Sequence, residues 1–274
     1  MELVMKDLCY RYGDGPMILN NINLTFEGSK LYCIIGPNGV GKSTLVKCMN
    51  KLLKPVSGDV LIDEKSISDY SFKDLAQFMS FIPVSQGYSF RMTVMDVVLL
   101  GRYDPKKWRT DEEDLDIVHR SLKLMDMEDY SMRDINGLSA GQCQKVNLCK
   151  GLVQEPKIMI LDEPTSNLDV KHQMYVTELL KAISRESDMM VIMISHDLNI
   201  AAQFADEIIM MSEPGVVYKD GRPEEVISAE SISKVYGVDC EVITHLGKPH
   251  VLLNSALSKR QMNEMAKRDV ETVN

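Results

Sequence analysis

No apolar stretch of this 274-residue chain approaches a membrane span. The longest, such as Met189 to Ile194, fall far short of the roughly 18 residues required. No charged, apolar, small-residue leader opens the sequence either, so a soluble protein is expected, one that reaches a membrane only through partners. Cysteine is sparse: six residues, at 9, 33, 48, 143, 149 and 240, contain no C-x-x-C pair and suggest neither a zinc site nor a disulfide framework. Basic charge is in deficit. With 31 Lys+Arg against 40 Asp+Glu the net charge is −9, which argues against a nucleic-acid-binding face and against direct attachment to an anionic membrane. Internal repeats and low-complexity tracts are missing too. The 19 methionines lie mostly in apolar runs and read as core packing. The length suits one substantial core with a subdomain.

Against that background one local pattern stands out. Gly36-Pro37-Asn38-Gly39-Val40-Gly41-Lys42-Ser43-Thr44 fits the Walker A phosphate loop: a glycine, four free positions, then Gly-Lys-Ser. The β-favouring run Leu31 to Ile35 precedes it, and residues from Ser43 to Met49 have helix-compatible apolar spacing, so the context is strand, loop, helix. Glycines let successive backbone N–H groups curl around a phosphate, and the helix N-terminus adds partial positive charge. In such a loop Lys42 reaches the β- and γ-phosphates and Ser43 ligates Mg²⁺. The ligand this predicts is ATP.

A second element is Lys157 to Pro164, an apolar strand ending in Asp162-Glu163. A parallel strand buried on both faces reads as a continuous apolar run, and its carboxyl end delivers these side chains to the ligand edge of the sheet. Asp162 suits Mg²⁺, directly or through water, and Glu163 suits polarising an attacking water. A third is Ser139-Ala140-Gly141-Gln142, a capping box opening a helix whose apolar positions include Val146, Cys149, Leu152 and Val153. A serine at a positive helix end is also an anion site, so two phosphate-facing helix ends point to a nucleotide pinched between them.

Walker A, Leu138 to Gln142, Leu161 to Asp169 and Ser195-His196-Asp197 together resemble the nucleotide-binding subunit of an ABC transporter, over about residues 1 to 240. The resemblance implies a P-loop, RecA-like α/β core with an antiparallel β subdomain and an inserted helical subdomain at about 87 to 155. The remaining 241 to 274 are expected to form a C-terminal extension, its charged tail from Ser258 to Asn274 a frayed helix or disordered. The resemblance further implies head-to-tail homodimers in which Ser139 and Gly141, with Gln142, meet the ATP held by the partner's loop. Tyr12 resembles the aromatic that stacks on adenine, with Tyr10 the weaker candidate on spacing. His196 resembles the switch histidine at the γ-phosphate, and Asp169 the aspartate that couples the two sites. Three departures are visible: Ala140 stands where the family most often has glycine, Gln86 lies two residues late for the metal-binding, coupling glutamine of the segment after Phe81-Ile82-Pro83, and Cys143 and Lys150 lie where the family often has charged and small residues.

Thr93 to Tyr103, Leu168 to Gln173, His196 to Ala201 and Gly221 to Val226 are similar to importers of iron-siderophores, haem and cobalamin. Zinc and manganese importers share much of the pattern, and non-transport ABC ATPases and single-site P-loop kinases are more distant alternatives. The expected partners are a polytopic permease, contacted by about Gly87 to Tyr103, and indirectly an extracytoplasmic metal-chelate binding protein. The expected place is the cytoplasmic face of the cell membrane. Elsewhere, Thr110-Asp111-Glu112-Glu113 reads as a capping box starting the helix that carries Leu115, Val118, Leu122 and Met125, and residues 223 to 236 read as helical.

Overall fold

The computed structural model describes residues 1–84, 90–103, 111–166 and 168–255. The chain begins with β1 (Glu2–Arg11) and β2 (Met17–Glu27), paired antiparallel from Glu2↔Glu27 to Arg11↔Met17. β3 (Leu31–Ile35), the phosphate loop and α1 (Lys42–Met49) follow, then β4 (Ser57–Ile62), β5 (Lys65–Ser66), α2 (Phe72–Ala76) and β6 (Met79–Ile82). A helical stretch carries α3 (Val94–Leu99), a 3₁₀ turn at Leu100–Arg102, α4 (Glu112–Leu124) and α5 (Ala140–Leu152). Strands and helices then alternate as β7 (Ile158–Leu161), α6 (Val170–Glu186), β8 (Met190–Ile194), α7 (Leu198–Phe204) and β9 (Glu207–Ser212). The order closes with β10 (Val216–Gly221), α8 (Pro223–Val226), α9 (Ala229–Tyr236), β11 (Asp239–His245) and β12 (Lys248–Ser255).

Two sheets organise this order. One is antiparallel, β2-β1-β4-β5, and the other runs β10-β9-β3-β8-β7-β6, parallel except for the β9–β10 pair. The parallel strands are almost wholly buried because both their faces are covered. Alternate side chains therefore enter different cores. Tyr32, Ile34, Ile158, Ile160, Ile192 and Ile194 pack with the antiparallel sheet and α1. Leu31, Cys33, Met159, Leu161, Val191 and Met193 pack on the other face against α5, α6 and α7. Cys33 and Cys48 are buried, with burial pushing both thiols up, Cys48 to about 12.

In the helical stretch α4 starts one residue later than the expected box. Its cap is Asp111, whose side chain accepts from Asp114 N, while Thr110 lies outside the described residues. Ile117, Val118, Leu122 and Met125 form its buried face, while Leu115 is exposed. Arg102 ties the helices together, donating to Asp114 Oδ1 at 2.8 Å, Val153 O at 2.9 Å and Glu155 Oε2 at 3.0 Å. Beyond α9 the chain forms the β11–β12 hairpin, which crosses residue 240 and docks on α7 through Asn199, bonded at both amide atoms to Val251. The turn uses Leu246 and Gly247, both with positive φ, as a two-residue hairpin loop requires. Residues 256–274, most of the expected tail, lie outside the described set.

Candidate functional site

The parallel strands end along one sheet edge, and three of them deliver site residues there. Gly36 to Gly41 follow β3, Asp162 and Glu163 follow β7, and His196 follows β8. Carboxyl ends of parallel strands are the usual ligand edge of such a sheet. Gly36 and Gly41 have φ of +150° and +106°, and a Cβ at either would lie 2.5 Å from Met211 O or 2.9 Å from Ile18 O. The loop therefore requires glycine on conformational and steric grounds at once.

Lys42 opens α1 and is 6% exposed. Its Nζ donates to Gly36 O and Pro37 O, each at 2.8 Å, so the side chain folds back over the loop it follows. Burial holds the Lys42 ammonium below its ordinary pKa, opposed by the carboxylates of Glu163 and Asp162. Ser43 Oγ donates to Asp162 Oδ1 at 3.1 Å, and Thr44 Oγ1 meets the Tyr12 hydroxyl at 3.3 Å. Asp162 is buried, and burial raises its carboxyl pKa against the lowering bond from Ser43. Tyr12 is half exposed and packs edge-on against buried Tyr10, ring centroids 4.9 Å apart, which leaves Tyr12 as the ring available to a base.

Glu163 carries an unusual backbone. Its φ is +53°, in the left-handed region that L-residues avoid at about 1–2 kcal/mol, and its carbonyl is held by Ser166 N and Oγ at 3.1 and 2.9 Å. Strained residues persist where their surroundings over-determine them. The bend aims the carboxylate at the neighbouring strand end, where Glu163 Oε1 bonds His196 Nε2. The adjacency of β7 and β8 creates this pair.

Ser139 and Asp169 stand elsewhere. Ser139 caps α5 in the expected reciprocal box with Gln142, the two bonds being 3.0 and 3.3 Å. Asp169 caps α6 by accepting from His172 N at 2.9 Å. It also binds the His172 ring, and these contacts hold its carboxyl below the usual range. Ser139, Gly141, Gln142 and Asp169 share a cavity of about 580 Å³ that none of Gly36 to Thr44 lines. The chain thus gathers its expected residues into two groups, one around the phosphate loop and one around the start of α5. Gln86 lies outside the described residues.

Three neighbours escaped the sequence reading. His172 sits three residues after Asp169, a helical spacing that would have found it. Lys145 lines the signature cavity one turn after Gly141, again a readable spacing. Tyr236 bonds the Gly36 backbone while burial pushes its phenol up, and no local pattern foretells that contact.

A glycine loop with a buried lysine, a Ser–Asp oxygen pair and a Glu–His pair at one sheet edge define a P-loop ATPase of the ATP-binding-cassette class. The chain belongs to the ABC transporter family, whose model matches residues 19–166, more than half of its length. It is 43% identical over 235 residues to an uncharacterized ABC transporter ATP-binding protein of Methanocaldococcus jannaschii, covering 86% of this chain and 91% of the relative. To the iron(3+)-hydroxamate import ATP-binding protein of Bacillus subtilis it is 34% identical, covering 89% and 90%. A dimeric ATP-binding cassette solved in a post-hydrolysis state with ADP and Pi superposes with TM-score 0.69 at 28% identity, covering 80% of this chain and 98% of that one. The chain is accordingly an ATPase, and among its described residues no helix is long and apolar enough to cross a membrane.

Proposed function

We propose that this chain is the ATP-hydrolysing subunit of an importer for a metal chelate of the iron-siderophore, haem or cobalamin type. It works as a head-to-tail homodimer on the cytoplasmic face of a polytopic permease, which receives the chelate from an extracytoplasmic binding protein. The observation that carries the reading is the separation of the two residue groups. Ser139, Gly141 and Asp169 line a cavity in which the phosphate loop has no part, so a second copy must bring the two halves together around one ATP. The iron(3+)-hydroxamate relative supports the cargo class.

Within one site the loop amides and Lys42 hold the phosphates, Tyr12 stacks on the base, and His196 and Glu163 orient a water in line with the terminal phosphate. Ser43 Oγ and Asp162 Oδ1, 3.1 Å apart, are the hard oxygen donors that Mg²⁺ prefers, and their chemistry fits it. When bound, Mg²⁺ neutralises phosphate charge as it develops. Glu163 Oε1 accepts the water's proton, and His196 fixes that carboxylate and reaches toward the phosphate. Pairing of the two copies draws their helical stretches together and drives the permease between its two states.

Deleting the gene and measuring cellular uptake of radiolabelled ferric hydroxamate, haem and cobalamin tests the reading. Uptake of one chelate should fall and be restored by the wild-type chain but not by Lys42→Ala. Loss of zinc or manganese uptake with all three chelates unaffected would overturn the cargo assignment.

A further inference from the structure

Tyr236, the last residue of α9, ties the C-terminal part of the chain to the phosphate loop. It is half-buried, and its ring packs against the core that includes Leu31, Cys33 and Ile35 of β3. Its hydroxyl bonds the Gly36 backbone, a bond that favours the ionised phenol and so opposes the upward push of burial. A bond that favours the ionised form is one the oxygen accepts, so the Gly36 N–H is the donor. The Gly36 carbonyl in turn accepts from Lys42 Nζ at 2.8 Å. Side chains from α1 and α9 thus hold both polar groups of the loop's first residue.

Gly36 is where such a restraint has most to do. Its position admits only glycine, and glycine has the widest range of backbone conformations to give up. A loop whose first residue is untethered spreads over several conformations, and the apparent affinity for a ligand falls by the fraction that is competent to bind. Tyr236 is itself fixed from outside the loop. Gly237, with φ of +70°, ends α9, its N–H bonded to Ser233 O at 2.9 Å, and the β11–β12 hairpin that follows is pinned to α7 by the bonds between Asn199 and Val251. Tyr236, Val251 and Leu253 of the hairpin and His196 line one cavity of about 430 Å³, which puts the C-terminal unit against both the phosphate loop and the end of β8. We propose that Tyr236 is a positioning residue for ATP binding, holding Gly36 so that the phosphate loop is set before the nucleotide arrives. It acts through the loop backbone. The proposal needs only that this loop bind ATP, and it stands apart from the cargo and the two-copy arrangement.

The test compares the full wild-type chain with Tyr236→Phe, which keeps the ring and removes the oxygen. Equilibrium titration with a fluorescent ATP analogue should show Kd raised about 2- to 10-fold, the range for one net hydrogen bond. In steady-state hydrolysis the loss of kcat/KM should lie in KM, because bound ATP restores the loop through its own phosphate contacts. Hydrogen–deuterium exchange of the nucleotide-free protein should quicken in peptides covering Gly36 to Lys42 and return to the wild-type rate with ATP bound. A tyrosine with a merely structural role would lower Tm and leave Kd and the loop's exchange alone, and that result would overturn the proposal. Faster exchange confined to α9 and the hairpin would do the same, as would a loss of kcat/KM lying in kcat. Lys42→Ala serves as the control: if it binds the analogue as tightly as wild type, the assignment of the loop to ATP fails, whatever Tyr236→Phe shows.

Discussion

Replacing Glu163 with glutamine removes one charge and almost nothing else. The amide keeps the volume of the carboxylate, and its Oε1 still accepts from His196. The left-handed backbone is held by Ser166 on the Glu163 carbonyl, which the substitution leaves alone. What goes is the proton acceptor. General-base assistance is worth about 10²- to 10⁴-fold in rate, or about 3–5 kcal/mol of barrier at 1.36 kcal/mol per decade. The turnover number should fall by that factor. Nucleotide affinity should hold or improve, because a negative charge beside the phosphates is gone. The same change should lower the Asp162 pKa, to which the Glu163 charge contributes a raising influence, and leave the metal-binding carboxylate more fully ionised. Steady-state phosphate release and equilibrium ATP titration read both quantities. An unchanged turnover number, or a loss of kcat/KM that lies wholly in KM, would refute the role given to Glu163.

Two further outcomes follow from the electrostatics. Burial raises the folded pKa of Asp162 above its unfolded value, so its ionised form opposes folding and stability from this group declines as pH rises above the ordinary carboxylate range. Asp162→Asn should therefore raise the Tm of the nucleotide-free protein at pH 7 while abolishing Mg²⁺-dependent hydrolysis; a lower Tm in differential scanning calorimetry would contradict this. Asp206 is the opposite case. Burial alone would raise its pKa, but the Leu31 N–H at 3.0 Å with Lys181 and Arg185, each at 3.3 Å, hold it below the usual range. Its contribution is present above the unfolded pKa and is lost as pH falls through the folded one. Asp206→Asn should destabilise by about 2 kcal/mol at pH 7, the scale of a hydrogen bond to a charged group, with the deficit shrinking in acid. A deficit independent of pH in urea titrations would rule out the ionic origin.

Features set by short-range spacing were legible before any coordinates. The phosphate loop needs glycines at fixed offsets from Lys42, and the Ser139–Gln142 box closes on itself within four residues. Features set by which strands lie side by side were less accessible: the motif residues Glu163 and His196 were each identified, but their bond depends on β7 lying beside β8. The hairpin over Asp239–Ser255 was hidden by its composition, since its strands carry Asp239, Glu241, His245 and Lys248, and it is held by tertiary bonds from Asn199.

The central claim is that each ATP is held by the phosphate loop of one copy and the signature helix end of another. It is tested most directly with two differently tagged chains, both carrying Glu163→Gln, one also Lys42→Ala and the other also Ser139→Arg. Either homodimer has no intact site in a head-to-tail arrangement, whereas the heterodimer has one. The account predicts that doubly tagged heterodimers trap a single ATP each and that neither homodimer traps any; heterodimers that trap none, or Ser139→Arg homodimers that trap two, would contradict it.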